Sequence, residues 1–194
     1  MKITGSGESS LLLLKIIKRL DRLNIPYAVV GAFAGSYHGT VRASLDADAL
    51  ISFKAHEGHF ARLTAALKKD GFKVVVRQGD REDPIRSVIN VEDGFQNRVD
   101  LLTGIRGMGE DVFERVIKTT FMKQKIKIIG VEDFIAMKIF AGSPKDLMDA
   151  AGALKISASK IDWTLLRKLT LRYGKDDLQQ LEKLLKEVDD KKRR

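Results

Sequence analysis

The chain has 194 residues, no cysteine and a formal charge of +9, from 35 lysines and arginines against 26 acidic residues. That length suffices for one α/β unit with a helical appendage, and 44% hydrophobic beside 31% charged residues argues against wholesale disorder. The lack of cysteine excludes disulfides, thiolate metal sites and cysteine nucleophiles. The positive balance attracts polyanions such as nucleotides or nucleic acid, although part of it lies in the terminal Lys191, Lys192, Arg193 and Arg194, which read as a solvated tail.

Leu11 to Leu14 is the most apolar run near the start, but Lys15, Lys18, Arg19 and Arg22 follow it within one helical pattern. This predicts an amphipathic first helix over about 9–23, with no signal peptide and no membrane span, and a cytoplasmic location. Pro26 ends that helix. Tyr27 to Val30 then has the short apolar character of a buried strand, ended by Gly31. The small residues from Ala32 to His38 predict a short helix, 48–53 a second strand, and 57–69 a helix with Phe60, Leu63, Ala66 and Leu67 on one face.

Three further strands are expected at 73–77, 86–91 and 98–102, with polar loops between them, and the mixture of helical and short connections predicts a mixed sheet. Helices are expected at 110–117 and 131–141. Between them, 120–129 reads as one strand whose alternation of lysine with isoleucine suits an exposed or edge position. From Pro144 onward the pattern is helical, in segments 144–154, 162–173 and 176–188. The expected organisation is an α/β core at 1–130, including the N-terminal helix, with a C-terminal helical region at 131–194 packed on it.

Chemistry concentrates in Val30-Gly-Ala-Phe-Ala-Gly-Ser-Tyr-His-Gly-Thr-Val-Arg-Ala-Ser-Leu-Asp-Ala-Asp-Ala-Leu-Ile51. Asp46 and Asp48 are separated by one residue, and side chains alternate along a strand, so the two carboxylates share a face. Such neighbours repel unless a cation lies between them, and hard oxygen ligands suit Mg²⁺ or Mn²⁺. Asp100, in Asn97-Arg-Val-Asp-Leu-Leu102, interrupts an otherwise apolar strand, a costly position without a partner. Pairing of its strand with the Asp48 strand would let three carboxylates bracket two metal ions, as phosphoryl transfer uses. Gly31 stands where a buried strand becomes a helix, so backbone N–H groups there can approach phosphate oxygens without a side chain in the way.

Gly31, the small-residue helix, Asp46-Ala-Asp48 and a later strand aspartate, Asp100, together resemble the signature of the DNA polymerase beta superfamily of nucleotidyltransferases. Val30-Gly-Ala-Phe-Ala, His38-Gly39, Arg42, Ser44 and the aspartate pair are similar to the minimal branch of abortive-infection (AbiEii-type) toxin nucleotidyltransferases. So is Gly130-Val-Glu-Asp-Phe-Ile-Ala-Met-Lys-Ile-Phe-Ala141 with Lys145-Asp146-Leu-Met-Asp149. The sequence departs from that pattern at Ala32, where glycine or serine is usual, at Ser44, where threonine is usual, and at Ala49, where a larger apolar residue is usual. A frame using Gly35-Ser36 also precedes Asp46 at a workable spacing, but Gly31 is the glycine that ends the strand.

The resemblance implies a nucleotidyltransferase-fold mixed sheet flanked by helices, a nucleoside triphosphate as substrate and Mg²⁺ or Mn²⁺ as cofactor. It implies that Asp46, Asp48 and Asp100 are the catalytic metal ligands. Gly31, Ala32, Arg42, Ser44 and Lys138 are the expected nucleotide contacts, with His38 near the same loop and Asp146 and Asp149 on a helix face that closes the cleft. The acceptor hydroxyl belongs to a protein, a transfer RNA or a small molecule, and the toxin branch implies a cognate antitoxin. Two other readings predict different behaviour: a catalytically inactive nucleotide- or partner-binding module of the same fold, and a basic helical nucleic-acid binder using residues 155–194.

Overall fold

The computed structural model describes residues 2–40, 43–52 and 58–192, with side chains as far as Val188. Arg42 lies outside the described residues, as do the strand end expected at Phe53 and the helix start expected at Glu57. Helix α1 (Ser9–Arg22) is followed by β1 (Tyr27–Val29), α2 (Gly31–Tyr37), β2 (Asp46–Ile51) and α3 (His59–Lys69). Strands β3 (Lys73–Gln78), β4 (Ile85–Glu92) and β5 (Arg98–Ile105) come next, and then a 3-10 turn at Glu110–Glu114. Strands β6 (Ile117–Phe121) and β7 (Gln124–Ile128) precede four helices, α4 (Val131–Ala141), α5 (Pro144–Ser157), α6 (Trp163–Leu171) and α7 (Lys175–Lys192).

The seven strands form one mixed sheet in the order β3-β4-β5-β2-β1-β7-β6. β2 runs parallel to β5 and β1 parallel to β7, and the remaining neighbours are antiparallel. This is the mixed α/β architecture the connections predict. In α1 the apolar spacing buries Leu12, Leu13, Ile16, Ile17 and Leu20 against the sheet, each worth about 1.5–3 kcal/mol of transfer free energy. Its far end is tied to α3 by Arg19, whose Nε donates to Asp70 Oδ2 at 2.6 Å. Among the described residues no helix is long and apolar enough to cross a membrane.

Two sequence expectations change here. Residues 120–129 are not one strand but most of a hairpin, in which β6 and β7 are joined by Met122 and Lys123, with φ of 46° and 66°. Positive φ at both central positions is the two-residue turn whose twist matches the strands. Met-Lys carries none of the asparagine or glycine that announces such a turn, so the alternation read straight through it. The hairpin is held from outside: Phe121 meets Phe33 edge-on at 4.8 Å, and Gln124 Nε2 donates to the Leu14 carbonyl at 2.9 Å. The edge position belongs to β6, while β7 lies between β6 and β1.

The helix expected at 110–117 shrinks to the 3-10 turn at Glu110–Glu114. Ile117 to Thr120, β-branched except for Lys118, join the sheet in β6 instead.

α4 is buried nearly all round, which is why its sequence shows so little polar face. The two charges it buries are both satisfied. Asp133 receives Nε and Nη2 of Arg115 at 2.7 and 2.8 Å, and Lys138 Nζ lies 2.6 Å from Asp146 and 2.9 Å from Asp149. The core is one continuous apolar cluster, to which α5, α6 and α7 contribute Ala150, Ala153, Leu154, Leu166, Leu169, Leu181 and Leu184.

Candidate active site

Register builds the site. β2 and β5 pair in parallel with Asp46 opposite Arg98 and Asp48 opposite Asp100. Alternation turns Ala47, Ala49, Val99 and Leu101 to one face, where all four are buried, and turns Asp46, Asp48, Arg98 and Asp100 to the other. One ligand oxygen from each of Asp46, Asp48 and Asp100 lies within 4.8 Å of the other two. Three carboxylates at that separation form a hard-oxygen donor set that fits Mg²⁺ or Mn²⁺.

The same face carries two groups that the sequence reading did not select. Arg98 forks onto Asp100, with Nε donating to Oδ1 at 2.8 Å and Nη2 to Oδ2 at 2.6 Å, and Asn90 Nδ2, from the opposed position on β4, donates to Oδ1 at 2.7 Å. The Arg98 guanidinium is held above its usual pKa, first by the hydrogen bonds to Asp100 against some desolvation, then by the charges of Asp100, Asp46 and Asp48. Asp100 therefore has a counter-charge of its own in Arg98, which also feels the charges of Asp46 and Asp48. Arg98 could have been found from sequence, because position i−2 of a strand shares the face of position i. Asn90 could not, because its place beside Asp100 depends on the β4–β5 register. Ser44, expected at the nucleotide, donates its hydroxyl to Asp46 Oδ1 at 2.7 Å and so orients that carboxylate.

Gly31 begins α2 with a φ of 61°, and a Cβ placed there would overlap the Asp48 carboxylate. The glycine is thus required twice, by a left-handed backbone and by the close approach of β2. Gly31→Ala is expected to cost roughly 1–2 kcal/mol from backbone conformation alone, with more from displacing Asp48. A lower melting temperature is the expected result, and an unchanged one would contradict it. A cleft of about 480 Å³ opens beside this turn, lined by Gly31, Asp48 and Lys138 and by apolar groups including Ile85, Leu102, Met137 and Phe140. A smaller polar hollow of about 170 Å³ is lined by Ala32, Ser10, Ser36, Ser44 and Asp46.

The structure thus brings together Gly31, Ala32, Ser44, Asp46, Asp48 and Asp100, with Lys138 across the cleft. Lys138 is 6% exposed and paired with Asp146 and Asp149 from α5, so its charge is committed to the helical wall as well as facing the cleft. His38 is buried at the end of α2, its Nε2 2.9 Å from the Ile129 carbonyl. Burial is the largest influence on its pKa and lowers it. A depressed histidine favours the unfolded chain once protonation becomes possible there, so stability is expected to fall as pH drops below the ordinary value of 6.5. Urea unfolding at pH 8 and pH 5.5 checks this, and in His38→Gln that part of the pH dependence should vanish.

No family model matches the sequence, and no curated protein matches it. Solved structures do. ANT(2″)-Ia, determined in complex with adenylyl-2″-tobramycin, superposes with a TM-score of 0.58 at 16% identity, over 84% of this chain and 98% of that one. An antigenic nucleotidyltransferase-like protein from Paracoccidioides brasiliensis gives 0.52 at 18% identity over 95% and 94%. A Thermotoga maritima protein described as a candidate nucleotidyltransferase gives 0.55 at 18% over 72% and 88%. At these identities the likeness establishes the nucleotidyltransferase fold.

Proposed function

We propose that the chain is a metal-dependent nucleotidyltransferase that moves a nucleoside monophosphate from a nucleoside triphosphate to an acceptor hydroxyl. The observation that carries this reading is the convergence of Asp46, Asp48 and Asp100 on one face, beside a cleft walled by Gly31. The fold shared with the nucleotidyltransferase structures supports it. Asp46, Asp48 and Asp100 would hold Mg²⁺ or Mn²⁺, which when bound supplies charge stabilisation for the attacking and leaving oxygens.

The chain's own groups have distinct roles in this proposal. Gly31 and Ala32, at the start of α2, would offer backbone N–H groups to the phosphates, with the Asp48 carboxylate packed against the turn. Ser44 keeps Asp46 oriented. The apolar stretch of the cleft around Met137 and Phe140 receives the nucleoside, and Lys138 would reach the phosphates by giving up one of its two partners, Asp146 or Asp149. Asp100 would help hold the metal and favour loss of the acceptor hydroxyl's proton once Arg98 gives way. The acceptor oxygen forms its bond to the α phosphorus as the bond from that phosphorus to the bridging oxygen breaks, and pyrophosphate leaves with the electron pair.

The test uses each nucleoside triphosphate labelled with ³²P at the α position, Mg²⁺ or Mn²⁺, and a cell extract divided into protein, RNA and small-molecule fractions. Label should enter one fraction as pyrophosphate is released, which names the acceptor class. A kinase would leave the α label on the nucleotide. Absence of labelling with every nucleotide and both metals would remove the enzyme reading in favour of an inactive binding module. The finer reading, a toxin of the abortive-infection branch with a cognate antitoxin, rests on the segments 30–51 and 130–149. It predicts that expression arrests growth and that Asp46→Asn relieves the arrest.

A further inference from the structure

We infer that Arg98 is a positioning residue that competes with a divalent ion for Asp100 and thereby sets the metal affinity of the carboxylate site. The inference rests on the proposed metal-binding reading of Asp46, Asp48 and Asp100. Strand register makes a square of four side chains on one face: Asp46 faces Arg98, and Asp48 faces Asp100. Three corners are carboxylates and the fourth is a guanidinium.

Both Asp100 oxygens are occupied by Arg98, at 2.8 and 2.6 Å, and Oδ1 also accepts from Asn90 at 2.7 Å. A metal ion that uses Asp100 binds an oxygen that already accepts from Arg98, sharing it through its second lone pair or displacing the guanidinium. Its double positive charge also falls beside a fixed guanidinium, whose repulsion opposes binding at this range. Arg98 can yield because its side chain is 45% exposed while that of Asp100 is 12% exposed. The arginine can turn toward water, whereas the carboxylate stays on the strand, still held by Asn90. Before metal arrives, the fork neutralises part of a cluster that would otherwise repel itself. Arg98 thus stabilises the metal-free protein and weakens metal binding, two effects with one cause.

The experiment compares the whole protein with Arg98→Gln and Arg98→Lys, using Mn²⁺ with and without a nucleoside triphosphate. Bound Mn²⁺ is read from the loss of the free-ion electron paramagnetic resonance signal, and stability from melting in chelator and in Mn²⁺. Arg98→Gln should melt lower than the parent in chelator, recover in Mn²⁺, and bind Mn²⁺ roughly tenfold more tightly, with Arg98→Lys in between. In the unsubstituted protein, Mg²⁺ should shift the Arg98 Nε–H resonance and speed its exchange with water, a readout that needs no variant to fold.

Parental or weaker Mn²⁺ affinity in Arg98→Gln overturns the inference while leaving the metal site standing, as does an Arg98 resonance unmoved by saturating Mg²⁺. A melting loss that Mn²⁺ does not restore assigns Arg98 a purely structural role and also overturns it. Failure of the parent and both variants to bind Mn²⁺, with or without nucleotide, removes the metal-site reading and the inference together.

Discussion

Asp46→Asn and Asp48→Asn are each expected to reduce transfer of the α-phosphate label by about a thousandfold or more while the protein stays folded. Loss of one charged ligand from a site that stabilises both attacking and leaving oxygens removes several kcal/mol in the transition state, and each 1.36 kcal/mol is about tenfold in rate. The fold should tolerate the change, because asparagine keeps an oxygen to accept from Ser44 at position 46. Removing one charge also relieves a cluster of three carboxylates. Initial rates at saturating nucleotide, together with melting curves, check both halves. Transfer within tenfold of the parent, from a folded variant, would place the chemistry elsewhere.

The largest stability loss is expected away from the site, at the charged junction between the sheet and the C-terminal helices. Asp133, 4% exposed on α4, takes both arms of Arg115; Arg115 reaches Asp111 at 2.7 Å, and Asp111 receives Arg172 at 2.9 Å. Asp133→Ala strips the partly buried Arg115 guanidinium, 22% exposed, of its main partner, and breaking a fully buried pair costs about 3–5 kcal/mol. Arg115 keeps Asp111, so the lower end applies. At about 2–4 °C per kcal/mol for a chain of this size, the melting temperature should fall by roughly 6–12 °C. A fall of less than 2 °C would mean that the pair adds nothing over its separated parts.

The same network gives an acid limit. Hydrogen bonds from Arg172 and then Arg115 hold the Asp111 carboxyl far below its ordinary value of 3.8. A depressed carboxylate contributes stability that is fully present above the unfolded-state value and fades as pH falls through the folded one. The contribution of Asp111 is therefore constant at neutral pH and begins to disappear below 3.8. Asp111→Asn should melt lower than the parent at pH 7, and the difference should narrow in acid.

Much of this protein is legible in one dimension, for a physical reason. Asp46 and Asp48 share a face because strand geometry repeats every two residues, and no tertiary information is needed to say so. Helix α1 is equally plain, since leucines and isoleucines at helical spacing beside lysines describe a half-buried cylinder. Gly31 and Asp100 stand out because each breaks its surroundings, one as a glycine ending a strand and the other as a charge in an apolar run.

The tertiary structure decided what depends on register and on contacts between distant segments. The sequence says that Asp100 needs a partner; only the parallel pairing of β2 with β5 makes Asp48 its neighbour, and only the β4 pairing brings Asn90 to it. The turn at Met122 and Lys123 has no local signature and is held by Phe33 and Leu14, far away in sequence. Lys138 reads as a cation for the cleft, but the position of α5 supplies Asp146 and Asp149 to it. Local periodicity reports which face a side chain takes, because it follows from backbone geometry. The group opposite that face is set by the packing of the whole chain, where the free energy of burial belongs to pairs of segments and cannot be read from either one alone.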